Sequence, residues 1–321
     1  MMQKDARIYV AGHTGLAGSA IVRALERAGH SSLLLRRHAE LELTDARAVA
    51  AFFERERPDY VFVAAAKVAG ILANQTYPAE FIHQNLAIAL NLVHEAWRGK
   101  VRRLLYLGSS CIYPRECPQP MKEEHLLSGP LEPTNRAYAV AKIAGIEACW
   151  SYNRQHGTRF LAAMPTNLYG PGDHYDLETS HVLPALLRKI HEAKQRGERE
   201  VTLWGSGRPR REFLCSDDLG EACVFLMDLP EAGFGKLVAP QTAPMINIGA
   251  GKDMTIAELA VLIAEAVGYD GRFVYDASKP DGTPRKLLDS SRIMALGWKL
   301  AVDLRRGIAL AYRDFLQRLA P

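Results

Sequence analysis

The sequence lacks what would staple or anchor a chain. Its five cysteines, Cys111, Cys117, Cys149, Cys215 and Cys223, are odd in number and scattered, without the paired spacing of a zinc site or a disulfide framework. Reduced thiols and no metal are expected. No apolar run approaches the roughly 20 residues that a bilayer crossing needs, and Met1-Met2-Gln3-Lys4-Asp5 runs into a strand without the pattern of a secretory leader. The expected address is the cytoplasm, with no membrane partner. An excess of one charge is missing too: the net charge is +4, and the basic residues fall in short local clusters, not along one arm or helix. Nucleic acid is therefore not expected as a partner, whereas anionic phosphate ligands are. Internal repeats and low-complexity tracts are also absent.

The 321 residues that are there, 48% hydrophobic and 24% charged, suffice for a full α/β domain with a second, smaller lobe. The β-branched and aromatic run Arg7-Ile8-Tyr9-Val10-Ala11 leads into Gly12-His13-Thr14-Gly15-Leu16-Ala17-Gly18 and then the helical Ser19 to Leu25. Strand, glycine turn and helix in that order bring backbone N–H groups and a helix N-terminus to a pyrophosphate, so the turn is read as a dinucleotide site. The second strand, Ser32 to Leu35, ends in Arg36-Arg37-His38, where an NAD-binding chain would carry an acid for the ribose 2′-hydroxyl. Cations there favour the 2′-phosphate of NADP, the alternative being a solvated surface pair.

Further strands are expected at Tyr60–Ala64 and Arg103–Leu107, each followed by small residues at the sheet's carboxyl edge: Ala64 to Gly70, and Gly108-Ser109-Ser110-Cys111. Asp45 is expected to cap a helix ending at Glu56. A helix from Pro78 to Trp97 carries Phe81, Leu86, Leu90 and Val93 for packing, with Asn85 and Asn91 as ordinary polar positions. After a proline-rich loop, Asn135-Arg136 opens a helix bearing Tyr138 and Lys142. Four residues apart on one helix face, the lysine could lower the phenol's pKa and the tyrosine could pass a proton to a carbonyl oxygen. Alone the pair could be a half-exposed helix face, but it stands beside the inferred cofactor turn. Cys117, Cys149, Cys215 and Cys223 read as small buried hydrophobes. His181 precedes the apolar Val182 to Leu187 and so sits near a helix N-terminus, which would depress its pKa. Thr255-Ile256-Ala257-Glu258 fits a capping box for a helix to Val267, and the last helix, Val302 to Leu319, carries Arg305, Arg306, Arg313 and Arg318 on a solvated face.

The Gly12/Gly15/Gly18 turn, a serine after a later strand, and Tyr138-x-x-x-Lys142 resemble the extended short-chain dehydrogenase/reductase superfamily, many of whose members act on nucleotide sugars. More narrowly, Ala64-Ala65-Ala66-Lys67-Val68, Gly108 to Pro114, Tyr138 to Gly145, Met164 to Pro171, Trp204 to Gly207, Arg211 to Leu214 and Lys279 to Lys286 are similar to the GDP-L-fucose synthase family, across essentially the whole chain. The resemblance implies a Rossmann-type doubly wound parallel sheet. It places an NADP-binding domain in residues 1–170, with later segments returning to it, and mainly a nucleotide-sugar substrate lobe in residues 171–321. It implies C3 and C5 epimerisation of a GDP-4-keto-6-deoxy sugar followed by reduction at C4.

In that scheme Cys111 is the base and His181 the acid, while Ser109 and Tyr138 donate to the developing O4 oxyanion. Lys142 supports the phenolate and the nicotinamide ribose. Cofactor contacts fall to Gly12, His13, Thr14, Gly15, Leu16, Ala17, Gly18, Arg36, Arg37, Leu107, Gly108, Ser109, Ser110, Lys142, Pro165, Thr166, Asn167, Leu168 and His181. Lys189, Trp204, Arg211 and Asp281 meet the GDP-sugar, and a homodimer is implied. Thr14 departs from the arginine that family members often carry in the turn, leaving Arg36, Arg37 and His38 to supply charge. Two rivals remain open on the sequence: a related nucleotide-sugar enzyme that keeps NAD bound without net reduction, and a redox-sensing module on the same fold.

Overall fold

Alternation of buried side chains along short parallel strands builds the centre of the molecule. The computed structural model describes residues 1–177, 180–279 and 281–319; Pro280, within the stretch Lys279 to Lys286, lies outside them. In chain order the strands are β1 (Ile8–Ala11), β2 (Leu33–Leu34), β3 (Tyr60–Val63), β4 (Arg103–Leu107), β5 (Phe160–Pro165), β6 (Asn167–Tyr169), β7 (Glu200–Trp204), β8 (Arg210–Cys215), β9 (Met245–Ile248), β10 (Asp253–Thr255), β11 (Arg272–Asp276) and β12 (Arg285–Lys286). The helices are α1 (Leu16–Arg27), α2 (Ala46–Glu56), α3 (Ile71–Thr76), α4 (Pro78–Arg98), α5 (Arg136–His156), α6 (Val182–Arg196), α7 (Ser216–Asp228), α8 (Glu231–Leu237), α9 (Ile256–Val267), α10 (Ser291–Ala295) and α11 (Leu304–Leu319).

Six strands form one parallel sheet in the order β2-β1-β3-β4-β5-β9. All but β2 are buried along their whole length, which requires helices on both faces. Ile8, Val10, Phe62 and Leu105 pack with Ile21 and Leu25 of α1 and Leu219 and Cys223 of α7. The alternate residues Tyr9, Val61, Leu104 and Tyr106 pack with Phe52 and Phe53 of α2, Leu92 of α4 and Cys149 of α5. The result is the expected doubly wound fold. The chain steps from β1 to β2 on one side and to β3 on the other, so a crevice opens between the carboxyl ends of β1 and β3.

The smaller lobe centres on β8, which pairs with antiparallel β10 and with parallel β12 and β6, while β7 and β11 form a separate parallel pair. Leu187, Ile190, Ile263, Ile308 and Phe315 give α6, α9 and α11 a common core with Leu203 and Phe213. After β8 the chain returns to the large sheet with α7, α8 and β9.

Local signals act as their chemistry directs. Asp45 accepts from the N–H groups of Arg47 and Ala48 at 2.8 and 3.2 Å, and Thr255 with Glu258 makes a full capping box. Three expectations need correction. Leu90 on α4 is 49% exposed. Asn85 is buried and bonds both backbone groups of Lys67, at 2.9 and 3.0 Å, because the loop after β3 needs partners that no strand supplies. Arg318 does not merely face solvent: it pairs with Asp314 at 3.1 Å and donates to the Asp173 carbonyl at 3.1 Å.

Helices α1 and α7 meet backbone to backbone, since a Cβ on Gly220 would lie 2.3 Å from the Ala20 carbonyl oxygen. Gly220→Ala should therefore destabilise the protein by about 1–3 kcal/mol through overpacking, outweighing the roughly 1 kcal/mol that alanine offers a helix. Urea unfolding followed by circular dichroism would show a lower midpoint; a raised one would mean the helices are not in contact there.

Candidate active site

The crevice is floored by glycines that admit no side chain. Gly12 has φ +79°, and a Cβ there would lie 2.7 Å from the backbone of Ala65; one on Gly18 would lie 2.0 Å from the Gly12 carbonyl oxygen. Gly15 is the N-cap of α1, no side chain caps the helix, and its first turn holds no acid. Backbone N–H groups and the positive helix end are thus left for an anion. Among the described residues the buried His13 Nδ1 has no hydrogen-bond partner. Burial and then Arg37 hold that imidazole below its usual range, against Glu40.

Arg36 and Arg37 part company. The Arg36 guanidinium bonds Glu56 at 2.8 Å and the Leu35 carbonyl at 2.8 Å and lies over the Phe52 ring, so it fastens the end of β2 to α2. Arg37 is exposed, and among the described residues its guanidinium makes no hydrogen bond or ion pair. The acid that faces Arg36 is what separates them, and the sequence alone does not reveal that contact.

At the end of β4, Gly108 passes so close to β5 that a Cβ would lie 2.3 Å from Met164 Sδ. Ser109 then accepts from the Cys111 N–H at 3.2 Å and caps a short 3-10 turn through Ile112. Across from this loop, α5 presents Tyr138, whose hydroxyl is hydrogen-bonded to the Ser109 side chain. One turn on, the buried Lys142 donates to the Leu107 carbonyl at 2.7 Å and lies 5.8 Å from the centre of the Tyr138 ring. Burial alone brings the lysine down to about 7. The expectation that Lys142 lowers the phenol's pKa is corrected in this state. Burial and the nearby Cys111 raise Tyr138, with only the Ser109 bond opposing them, because the ammonium is turned towards the Leu107 oxygen.

Cys111 is partly exposed, while the other four cysteines are buried. Its sulfur receives a hydrogen bond from Lys286 Nζ at 3.6 Å, and it lies within electrostatic reach of Arg211 and Tyr138. Lys286 was not singled out from the sequence; its alignment opposite Arg211 in the β12–β8 pairing brings it here. Glu212 was also missed, although a carboxylate heading the apolar Phe213-Leu214-Cys215 was a signal. It is completely buried. Thr166 Oγ1 and Asn167 Nδ2 both donate to its backbone carbonyl, at 3.2 and 2.8 Å, which fixes the segment Pro165 to Leu168 at the end of β5.

His181 is the N-cap of α6, but its side chain makes no capping bond. His181 as a residue is exposed, yet neighbouring protein partly desolvates its imidazole. That partial desolvation leads, and His174 follows, in holding the imidazole below its usual range. Among the described residues no hydrogen bond joins His181 to Cys111.

The residues expected to meet the GDP-sugar gather along the lobe's edge. Arg211 donates to the Arg210 carbonyl at 2.8 Å, and burial lowers it against the pull of Cys111 and Asp281. Asp281 accepts from the Ser206 N–H and hydroxyl at 2.6 and 2.7 Å, which hold its carboxyl below the usual range with help from Arg208 and Arg211. Trp204 is 61% exposed at the end of β7, with Lys279 Nζ 5.4 Å over its ring. Lys189 bonds the Thr202 carbonyl of the same strand.

Residues 8–249 match the model of the NAD dependent epimerase/dehydratase family. The chain is 54% identical to the GDP-L-fucose synthase of Escherichia coli (strain K12), over 97% of each chain. It is 52% identical to GDP-L-fucose synthase 1 of Arabidopsis thaliana, over 99% of this chain and 96% of that one. Among solved structures, MlghC, the GDP-mannoheptose C4 reductase from Campylobacter jejuni with NADP bound, is 38% identical, covers 98% of this chain and 100% of its own, and superposes with a TM-score of 0.89. With a glycine cradle, a Tyr-Lys pair and full-length relatives in agreement, the chain belongs to the NAD dependent epimerase/dehydratase family.

Proposed function

We propose that this protein converts GDP-4-keto-6-deoxy-D-mannose to GDP-L-fucose, epimerising C3 and C5 and reducing C4 with NADPH. The observation that carries the reading is the thiol of Cys111, set among Ser109, Tyr138, Lys142 and Lys286. A plain reductase needs the tyrosine and the lysine; a base beside them is what epimerisation adds. The names and the spans of the relatives agree.

The residues present fit a nicotinamide dinucleotide. The cradle that a Cβ would fill, the uncapped α1 N-terminus, and the orphaned His13 nitrogen beside Arg37 suit its phosphates. Residues Gly12 to Gly18, Arg37, Leu107 to Ser110, Lys142, Pro165 to Leu168 and His181 would hold it. When bound, NADPH supplies the hydride for C4.

The C4 ketone acidifies C3 and C5, since an enolate places its charge on O4. Cys111 takes the proton from one face, and His181, whose depressed pKa makes its imidazolium a stronger acid, returns one to the other face. Ser109 and Tyr138 hold the charge on O4 by hydrogen bonds. In the reduction Tyr138, fully protonated near neutrality because burial raises it, gives its proton to O4, and Lys142 steadies the phenolate left behind. Arg211 and Lys189 pair with the pyrophosphate, Trp204 packs on a ring, and Asp281 accepts from sugar or base. Residues 1–170 act as the cofactor domain and residues 171–321 mainly as the substrate lobe. A homodimer in the cytoplasm completes the proposal. The exposed Leu90 on α4, with the His94, Trp97, Tyr152 and His156 rings layered across α4 and α5, suits pairing through that face.

Turnover in deuterium oxide tests the whole. GDP-4-keto-6-deoxymannose with NADPH should give GDP-L-fucose with deuterium at C3 and C5 and stoichiometric loss of nicotinamide absorbance. Cys111→Ser should abolish the exchange. Turnover with no NADPH consumed, or parent-rate exchange in the serine variant, would end this reading. Arg37→Ser should weaken NADPH binding about 10- to 100-fold, the value of one hydrogen-bonded charge contact, and leave NADH binding unchanged. Arg36→Ser should act on stability instead, and equal cofactor effects would show the two arginines to be equivalent. The pH dependence follows from Lys142. Its charged form is lost as pH rises through about 7, while Tyr138 stays protonated, so stopped-flow hydride transfer should fall above that pH. A rate that is flat from pH 6 to 9 would exclude the ammonium from the step.

A further inference from the structure

The Glu212 side chain lies in the interior with no exposed surface, and among the described residues no lysine or arginine pairs with it. Backbone amides hold it instead. Oε1 accepts from the Gly251 N–H at 2.7 Å and Oε2 from the Leu288 N–H at 3.0 Å, with the Ala250 N–H adding a third bond. A Cβ on Gly249 would lie 2.4 Å from Oε1, so the glycine-bearing turn after β9 is shaped around this carboxylate. Both oxygens are committed as acceptors. An amide in its place would turn an NH2 group towards an N–H donor, and a shorter carboxylate could not span both partners.

Leu288 stands two residues beyond Lys286, just past the end of β12, in a parallel bridge with Met121. The pairing of β12 with β8 has only two residues, Arg285 with Arg210 and Lys286 with Arg211, too few to fix a register unaided. Met121 and Gln119 bond Leu287 and Asp289 from one side, and the carboxylate of the residue next to Arg211 holds Leu288 from the β8 side, in the segment whose lysine reaches Cys111 Sγ. We propose that Glu212 is the positioning residue for the Cys111 base: by fixing Leu288 it holds Lys286 against the sulfur, and it couples the substrate lobe to the base. This rests on the reading of Cys111 as the base. The Thr166 hydroxyl also interacts with the Glu212 carboxylate, but Thr166 and Asn167 are held as well by the Glu212 backbone carbonyl, contacts that a side-chain substitution leaves in place. Glu212 should accordingly govern epimerisation and not cofactor binding.

The test does not need substrate. Cys111 is the cysteine of the five that is not buried, so its alkylation by iodoacetamide in the resting protein can be followed by mass spectrometry. Lys286→Met should slow that alkylation about tenfold, the order of one hydrogen bond to a charged group. Glu212→Gln should slow it as much, the double variant should be no slower than either, and NADPH affinity should stay within about twofold in all three. With substrate in deuterium oxide, Glu212→Gln should lower C5 exchange about tenfold while hydride transfer to the pre-epimerised ketone keeps its rate. Where Glu212→Gln does not fold, Glu212→Asp, which keeps the charge but cannot reach both amides, decides by the same criteria. A folded variant with parent alkylation, or a double variant whose effects multiply, overturns the proposal. Failure of the activity reading shows separately, as absence of GDP-L-fucose from the parent protein.

Discussion

Among the described residues no carboxylate meets Lys142 in the interior, and its ammonium rests on the Leu107 carbonyl at the end of β4. A buried cation costs several kcal/mol unless it finds partners, and here one carbonyl and two ring faces, Tyr106 and Tyr138, are what the described residues offer. The arrangement ties α5 to the carboxyl edge of the sheet at the point where the Ser109 loop leaves it. Gly145, three residues further along α5, could carry no side chain without striking the Tyr106 ring, so helix and strand close on each other there too. The reacting groups inherit their geometry from that contact: Tyr138 faces Ser109 because Lys142 is anchored, and Cys111 follows because Ser109 caps its turn.

The large sheet was legible in the sequence because its determinants are local. Buried β-strands announce themselves as short apolar runs, and Gly12, Gly15 and Gly18 stand where a strand meets a helix. Capping residues such as Asp45 and Thr255 need only neighbours three residues away. What escaped the sequence depends on distant partners. That the Arg36 guanidinium is engaged while that of Arg37 is not follows from Glu56, twenty residues on. Asn85 looks like any polar helix residue until the loop at Lys67 is folded against it. Lys286 reaches Cys111 across 175 residues of chain.

The site itself divides along the same line. Tyr138 and Lys142 share a helix, and Ser109 and Cys111 share a loop, so spacing reveals each pair. Joining the pairs requires strand order: β4 beside β5, and the returning segments β9 and β12 stitched across both lobes by Glu212 and by Asn247, which bonds Tyr113, Met121 and Asp289. Every one of those links is a polar group inside the protein with its partners satisfied, the condition under which buried polarity specifies one arrangement over others.

On the proposed function, a thiol at position 111 suits the charges that a GDP-sugar demands. Arg211 and Lys286 lie close to the sulfur, and cations in such places suit a pyrophosphate. A carboxylate among them would be drawn into short ion pairs, and its proton affinity, starting near 4, would fall further. It would then be too weak a base for carbon acids beside a ketone. A thiol makes longer, looser hydrogen bonds, such as the 3.6 Å contact from Lys286, so it can stand among these cations without being drawn into a short ion pair. On the proposed function, the residues that would bind the phosphates and the group that would take the proton can therefore share one patch of positive charge.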